Sequence, residues 1–87
     1  VADVSDSAGQ VEVHLFAAAR AAVGESMVLV APGSLSSVLD AVAADHPAFS
    51  DVRRRCSYLL DEVSCSDPSA EVSAGSRLDV LPPFAGG

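Results

Sequence analysis

The chain closes on Pro82-Pro83-Phe84-Ala85-Gly86-Gly87, and the diglycine at its end is the segment best suited to chemistry. Neither Gly86 nor Gly87 carries a Cβ, so the pair can thread a channel too narrow for any other two residues. What such an end offers a partner is the Gly87 carboxylate. A frayed end, a domain cut from a longer chain or a cloning remnant would look the same from the glycines alone. The residues in front of them separate these readings. Pro82 and Pro83 stop a strand and stiffen the root of the tail, which lowers the entropy lost when it inserts elsewhere. From Pro83 to Gly87 an extended chain reaches about 13–14 Å, far enough to enter a partner's active site. Phe84 reads as an anchor on that partner, against the other reading in which it folds back onto its own domain.

The remaining reactive side chains form no constellation. Cys56 and Cys65 have neither CxxC spacing nor a nearby histidine pair, so zinc is not expected. They read as free, partly buried thiols in a reducing compartment, with nothing beside them to lower a thiol pKa for sulfur relay. His14 and His46 stand alone, on a strand surface and at a helix end. Arg53-Arg54-Arg55 beside Asp51 reads as a solvated helix end, with contact to an acidic partner or a nucleotide as the alternative. Asp40, Asp45 and Asp51 are spread as solubilising charges, not as metal ligands.

Twelve acids oppose five bases, all of them arginine, for a net charge of −7. That balance disfavours nucleic acid and anionic membranes and suits a basic protein surface. With 87 residues there is room for one domain and one modest core, built mainly from alanine and valine. No stretch reaches transmembrane length. Residues 1–10 lack both a basic start and an apolar run, so they read as a disordered leader and not as a signal peptide. The expected location is cytoplasmic. The expected division is a leader over 1–10, a domain over 11–81 and an extended tail over 82–87.

The tail needs a strand to carry it. Leu78-Asp79-Val80-Leu81 alternates and stops at the prolines, after a turn at Ala74-Gly75. Val11, Val13 and Leu15 fall on one face of a first strand ending near Phe16. A short helix over 17–23 stops at Gly24, and Met27 to Val30 forms a second strand. Ser34 is placed to cap the main helix, whose stripe is Leu35, Val38, Leu39 and Val42, with Pro47 as its stop. Phe49 to Arg55 reads as a further helical turn, and Ser57 to Leu60 as a third strand turning at Asp61-Glu62. Ser64 to Ser73 reads as loop with one short edge strand. One long helix must therefore cover one face of one sheet. The expected fold is α+β, a β-grasp (ubiquitin-like) arrangement with a mixed sheet of four or five strands on one main helix. By analogy with that fold, the first and last strands lie side by side and parallel at its centre.

These segments resemble the MoaD branch of the MoaD/ThiS ubiquitin-like sulfur carriers, the small subunit of molybdopterin synthase, from about Val11 to Gly87. The strongest likeness is Leu81-Pro82-Pro83-Phe84-Ala85-Gly86-Gly87, followed by Phe16-Ala17-Ala18-Ala19-Arg20, the capped helix between Pro32 and Pro47, and Gly75 before the last strand. The chain departs from the family pattern at Ser76-Arg77, where an acidic pair is usual, at Asp61 in place of Asn, and at Ala21 in place of Glu. The resemblance implies that the carrier binds no cofactor and supplies no catalytic side chain. A ubiquitin-activating-like adenylyltransferase would use ATP to convert the Gly87 carboxylate into a glycyl adenylate. A sulfur donor protein would then replace AMP to leave 1-thioglycine, a thiocarboxylate. That sulfur would attack a pterin precursor in a pocket of the large catalytic subunit, in molybdenum-cofactor biosynthesis. Two further readings stay open: a carrier for thiamine, cysteine or tRNA thiolation, and a ubiquitin-like binding or conjugation module without sulfur chemistry.

Strand alternation itself marks an interface. Phe16 lies with Glu12 and His14, and Leu81 with Asp79, so neighbouring strands would place Phe16 and Leu81 as an apolar spot at the tail's root. Val63 is the third candidate interface position, with a small second core beneath its loop as the competing reading.

Overall fold

The computed structural model describes residues 9–83. Residues 1–8 of the expected leader and Phe84, Ala85, Gly86 and Gly87 of the tail lie outside the described residues. The elements run β1 (Val11–Leu15), α1 (Ala17–Val23), β2 (Met27–Val30), β3 (Gly33–Ser34), α2 (Leu35–Asp45) and α3 (Phe49–Val52). A 3₁₀ turn at Arg53–Arg55 leads to β4 (Ser57–Leu60), β5 (Val63–Ser64), β6 (Glu71–Val72) and β7 (Arg77–Leu81).

Five strands form a mixed sheet in the order β2-β1-β7-β4-β5, and β3 pairs with β6 in a separate two-stranded sheet. β1 and β7 are parallel neighbours at the centre, while the other pairs in the large sheet are antiparallel. With α2 against one face of the sheet, this is the β-grasp architecture. The parallel central strands are joined by a long crossover containing every other element, and the tail-bearing strand β7 is the middle one of the five, paired on both sides.

The core follows the two periodicities of the sequence. Val11, Val13 and Leu15 from β1 and Leu78 and Val80 from β7 meet Leu35, Val38, Leu39 and Val42 of α2, all buried. The start of α2 is pinned twice. Ser34 Oγ accepts the Ser37 N–H at 3.1 Å, and the Leu35 N–H donates to the Ala70 carbonyl at 2.8 Å. The second contact lies beside the β3–β6 pair, in which β6 is a short strand within Ser64–Ser73, as expected, and β3 directly precedes α2. At the end of α1, Gly24 adopts φ 85° and donates to the Arg20 carbonyl at 2.7 Å, a left-handed cap that glycine enters without a Cβ penalty. Phe49, expected only as part of a helical turn, is a fully buried core residue.

The 3₁₀ turn is held to β4 by Tyr58, whose hydroxyl donates to the Arg53 carbonyl at 2.6 Å. Burial, assisted by the Cys56 thiol and opposed by Arg53, pushes the Tyr58 phenol up to about 12 from 10.0. The raised value means the native state holds this proton more tightly than the unfolded chain. The associated stability is present below pH 10.0 and is lost as pH rises through about 12. The chain has one tyrosine and no tryptophan, so phenolate absorbance reports this group alone. An alkaline titration should show its midpoint near 12 in the folded protein and near 10.0 in urea. A folded-state midpoint at the unfolded value would mean that the hydroxyl is solvated and the turn is not tied down.

Candidate functional site

Because the odd residues of β1 face α2, Glu12 and His14 point to the uncovered face of the sheet, as alternation requires. Register builds the rest of that face. His14 lies beside Asp79 and Glu12 beside Arg77 across the parallel pair. Asp79 lies beside Leu59, and Leu81 beside Ser57, across β4–β7. On the other side Met27 flanks His14 and Leu29 flanks Glu12. The result is a charged middle bordered by apolar side chains on both sides.

The charged middle is internally satisfied. Arg77 Nε donates to Asp79 Oδ1 at 2.7 Å, and His14 Nε2 lies 3.0 Å from Glu12 Oε1. Asp79 is only 8% exposed although no element covers this side, because its neighbours close over it. A carboxylate so placed needs its partner, since an unpaired buried charge is costly. The Arg77–Asp79 pair therefore leaves the apolar border as the part of the face free to meet another surface.

At the end nearest the tail, Phe16 still has extended backbone, with φ −122° and ψ 151°. Leu15 pairs with Val80, so one step further places Phe16 against Leu81, on the uncovered face. Phe16 is 40% exposed and Leu81 half-buried. Immediately after Phe16 the chain leaves the sheet through Ala17 at φ 51°. An alanine in this left-handed region costs about 1–2 kcal/mol, and here that strain accompanies the turn that presents the Phe16 ring. Pro82 is buried and Pro83 exposed. The tail's root is thus fixed through Pro82, beside Phe16 and Leu81.

Val63 does not join this group. It pairs with Leu60, whose side chain packs on the core, so Val63 lies on the helix side of the sheet edge. It is 67% exposed, which also excludes the small core considered beneath its loop. Met27, Leu29 and Leu59 were not anticipated as part of the uncovered face. The sequence Met27-Val28-Leu29-Val30 is apolar throughout and gives alternation nothing to sort.

The other reactive groups lie elsewhere. Cys56 and Cys65 are free thiols packed against the core. The Cys56 thiol donates to the Val52 carbonyl at 3.2 Å, and burial pushes its pKa up, which disfavours the thiolate that sulfur relay requires. Arg53 pairs with Asp40 at 2.8 Å. Among the described residues no group of three or more His, Cys, Asp and Glu side chains is placed to hold a metal ion, and no helix is long and apolar enough to cross a membrane.

Strand β7 thus ends beside an apolar border on the sheet face opposite the helix. The ThiS family model matches residues 13–87. The chain belongs to the ThiS family. Its fold is similar to that of small archaeal modifier protein 1 from Haloferax volcanii, at 27% identity over 91% of this chain and 100% of that one, with a TM-score of 0.80. It is also similar to a putative molybdopterin converting factor subunit 1 from Pyrococcus furiosus, at 16% identity, 86% and 98% coverage and a TM-score of 0.75. A chain in the complex of subunits 1 and 2 of the molybdopterin-converting factor from Helicobacter pylori matches at 20% identity, 90% and 99% coverage and a TM-score of 0.66. No curated protein matches significantly.

Proposed function

We propose that this chain is the sulfur-carrier small subunit of a molybdopterin synthase, working through a thiocarboxylate at Gly87. The observation that carries the reading is the tail's root: central strand β7 fixes the backbone through buried Pro82, next to the exposed Phe16 and half-buried Leu81. A docked partner can therefore locate the terminus by binding the sheet face. In this reading Phe16 and Leu81 contact the large catalytic subunit, Pro83 to Gly87 enter its pocket, and Phe84 anchors the tail there. The molybdopterin-converting factor from Helicobacter pylori, solved as a complex of its two subunits, supports that assembly as a model for this chain.

The chemistry is a two-step exchange at the terminal carbonyl. The Gly87 carboxylate attacks the α-phosphorus of ATP and pyrophosphate leaves. Hydrosulfide, delivered by a sulfur donor protein, then adds to the acyl carbon and AMP leaves, so one oxygen has been replaced by sulfur. A carboxylate alone is a poor acyl donor because its leaving group is oxide, and adenylylation by the activating partner removes that obstacle. The resulting thiocarboxylate is an anionic sulfur nucleophile for the pterin precursor. Intact mass tests the reading: incubation with an adenylyltransferase of the ubiquitin-activating type, ATP and sulfide should add the mass difference between sulfur and oxygen, lost again on delivery to the pterin. An unchanged mass with the cognate activating enzyme would remove the proposal.

The likeness to a small archaeal modifier protein favours a second reading, conjugation of Gly87 to a target lysine. The same mass measurement separates the two, since an isopeptide adduct adds a whole target and no sulfur. Thiamine, cysteine and tRNA thiolation would share the mass increase and differ in the acceptor that removes it.

A further inference from the structure

On the helix side of the sheet, the face opposite Glu12 and His14, lies a cleft of about 210 Å³. Leu35 and Leu39 of α2, Tyr58 of β4 and Pro68 form its apolar lining, and Arg53 and Arg54 stand on one wall. Its walls are fixed by backbone bonds. The Ser36 N–H donates to the Pro68 carbonyl at 2.9 Å, and Tyr58 is tied to the Arg53 carbonyl. The Asp67 carboxylate is turned to the Ser69 N–H and hydroxyl, at 3.0 and 2.8 Å, and does not line the cleft.

Volume and charge narrow the occupant. Small-molecule and cofactor sites run to about 300–1,000 Å³, so this space fits one side chain better than a nucleotide. Arg53 is already paired with Asp40, whereas Arg54 has no acidic partner among the described residues. One uncompensated guanidinium matches a monoanionic carboxylate better than a phosphate dianion. Two of the five cations of a chain of net charge −7, Arg53 and Arg54, line this wall, so the cleft is a place on an acidic protein where an acidic segment meets its complement. A separate observation extends the surface. Cys65 N–H donates to the Tyr58 carbonyl, and Val63, two residues before it on the same strand side, is 67% exposed with no role in the sheet's uncovered face.

We propose that this cleft docks an acidic peptide segment of a protein partner, one apolar side chain seated on Leu35, Leu39, Tyr58 and Pro68 and a flanking carboxylate paired with Arg54. The next apolar residue of the segment lies along Cys65 towards Val63. Such a site would hold the carrier by its helix side while the opposite face and the terminus serve the reaction, and it does not depend on sulfur chemistry.

The test is titration of the isotopically labelled full chain with a panel of short peptides, each a leucine flanked by glutamates or aspartates, followed by amide shifts. Saturable shifts at Ser36, Arg54 and Ser66, without shifts at His14 and Arg77, are the expected result. Arg54→Glu, or replacing the peptide acids by glutamine, should weaken binding at least tenfold, and added salt should weaken it further. A variant lacking Gly86 and Gly87 should bind equally well, so failure of the proposed carrier chemistry would leave this site standing. No peptide in the panel binding at millimolar concentration overturns the proposal, as does glutamine peptide binding equal to acidic peptide binding. Binding that emerges only after residues 1–8 are removed would assign the cleft to the chain's own Asp3–Asp6 segment and overturn the partner reading.

Discussion

Removing Gly87, or adding a single residue after it, should abolish sulfur delivery while leaving the fold intact. One residue changes the reach of an extended tail by about 3.3–3.6 Å. A misplacement of only 1 Å at a reacting centre can cost about 100-fold, so a full residue should reduce turnover by well over that, to the background of free sulfide. The two changes fail for different reasons. Deletion puts the carboxylate on Gly86, one residue short of the pocket, whereas extension buries the reactive carbonyl behind an added residue and places a peptide bond where the adenylate would form. Neither touches an element of the domain, because the last strand ends at Leu81 and the buried root at Pro82. Stability should therefore change by no more than about 0.5 kcal/mol. The checks are single-turnover dithiolene formation with the thiocarboxylated carrier and a thermal unfolding curve for each variant. Delivery by the extended protein at the parent rate would disprove a terminal thiocarboxylate, whatever else the domain binds.

Much of this architecture is legible in the sequence because its main elements are stabilised locally or by simple periodicity. β1 announces itself through Val11, Val13 and Leu15, and α2 through Ser34 and the Leu35-Val38-Leu39-Val42 stripe. Three features are not legible for physical reasons. The β3–β6 pair joins Gly33–Ser34 to Glu71–Val72 across the chain, and a two-residue ladder carries no period of its own. Phe49 becomes core only because α3 packs between α1 and α2, which is a tertiary fact. Asp79 alternates as a surface residue, and its burial arises from Arg77, His14 and Leu59 closing around it. Val63 is a different case. Asp61 and Glu62 both have positive φ, at 49° and 71°, so a two-residue turn joins β4 to β5 and forces Val63 to the side of Leu60. Asp61 also accepts the Arg77 N–H at 2.9 Å, which ties that hairpin to β7. The turn was visible in the sequence, and counting across it gives the side on which Val63 lies.

That difference of side makes the interface experiment decisive. Leu81→Glu and Phe16→Glu should each weaken the complex with the large subunit by at least about 30-fold, the equivalent of about 2 kcal/mol for an anchor at the centre of a contact. The two residues are register neighbours, so the double variant should lose less than the product of the single losses. Val63→Glu adds the same charge to the same molecule, but on the helix side of the sheet. It should leave affinity for the large subunit within a factor of about 2, because a distant exposed charge acts only through screened, long-range attraction. Titration calorimetry measures all four variants, with thermal unfolding to show that the half-buried Leu81 tolerates the change. Equal losses for Val63→Glu and Leu81→Glu would mean that charge alone, and not position, governs docking. A loss confined to Val63→Glu would move the large subunit to the helix side, leaving the terminus to reach its pocket from behind. A loss confined to Phe16 and Leu81 locates the docked surface at the tail's root, where a partner that binds the sheet also fixes the point from which Pro83 to Gly87 extend.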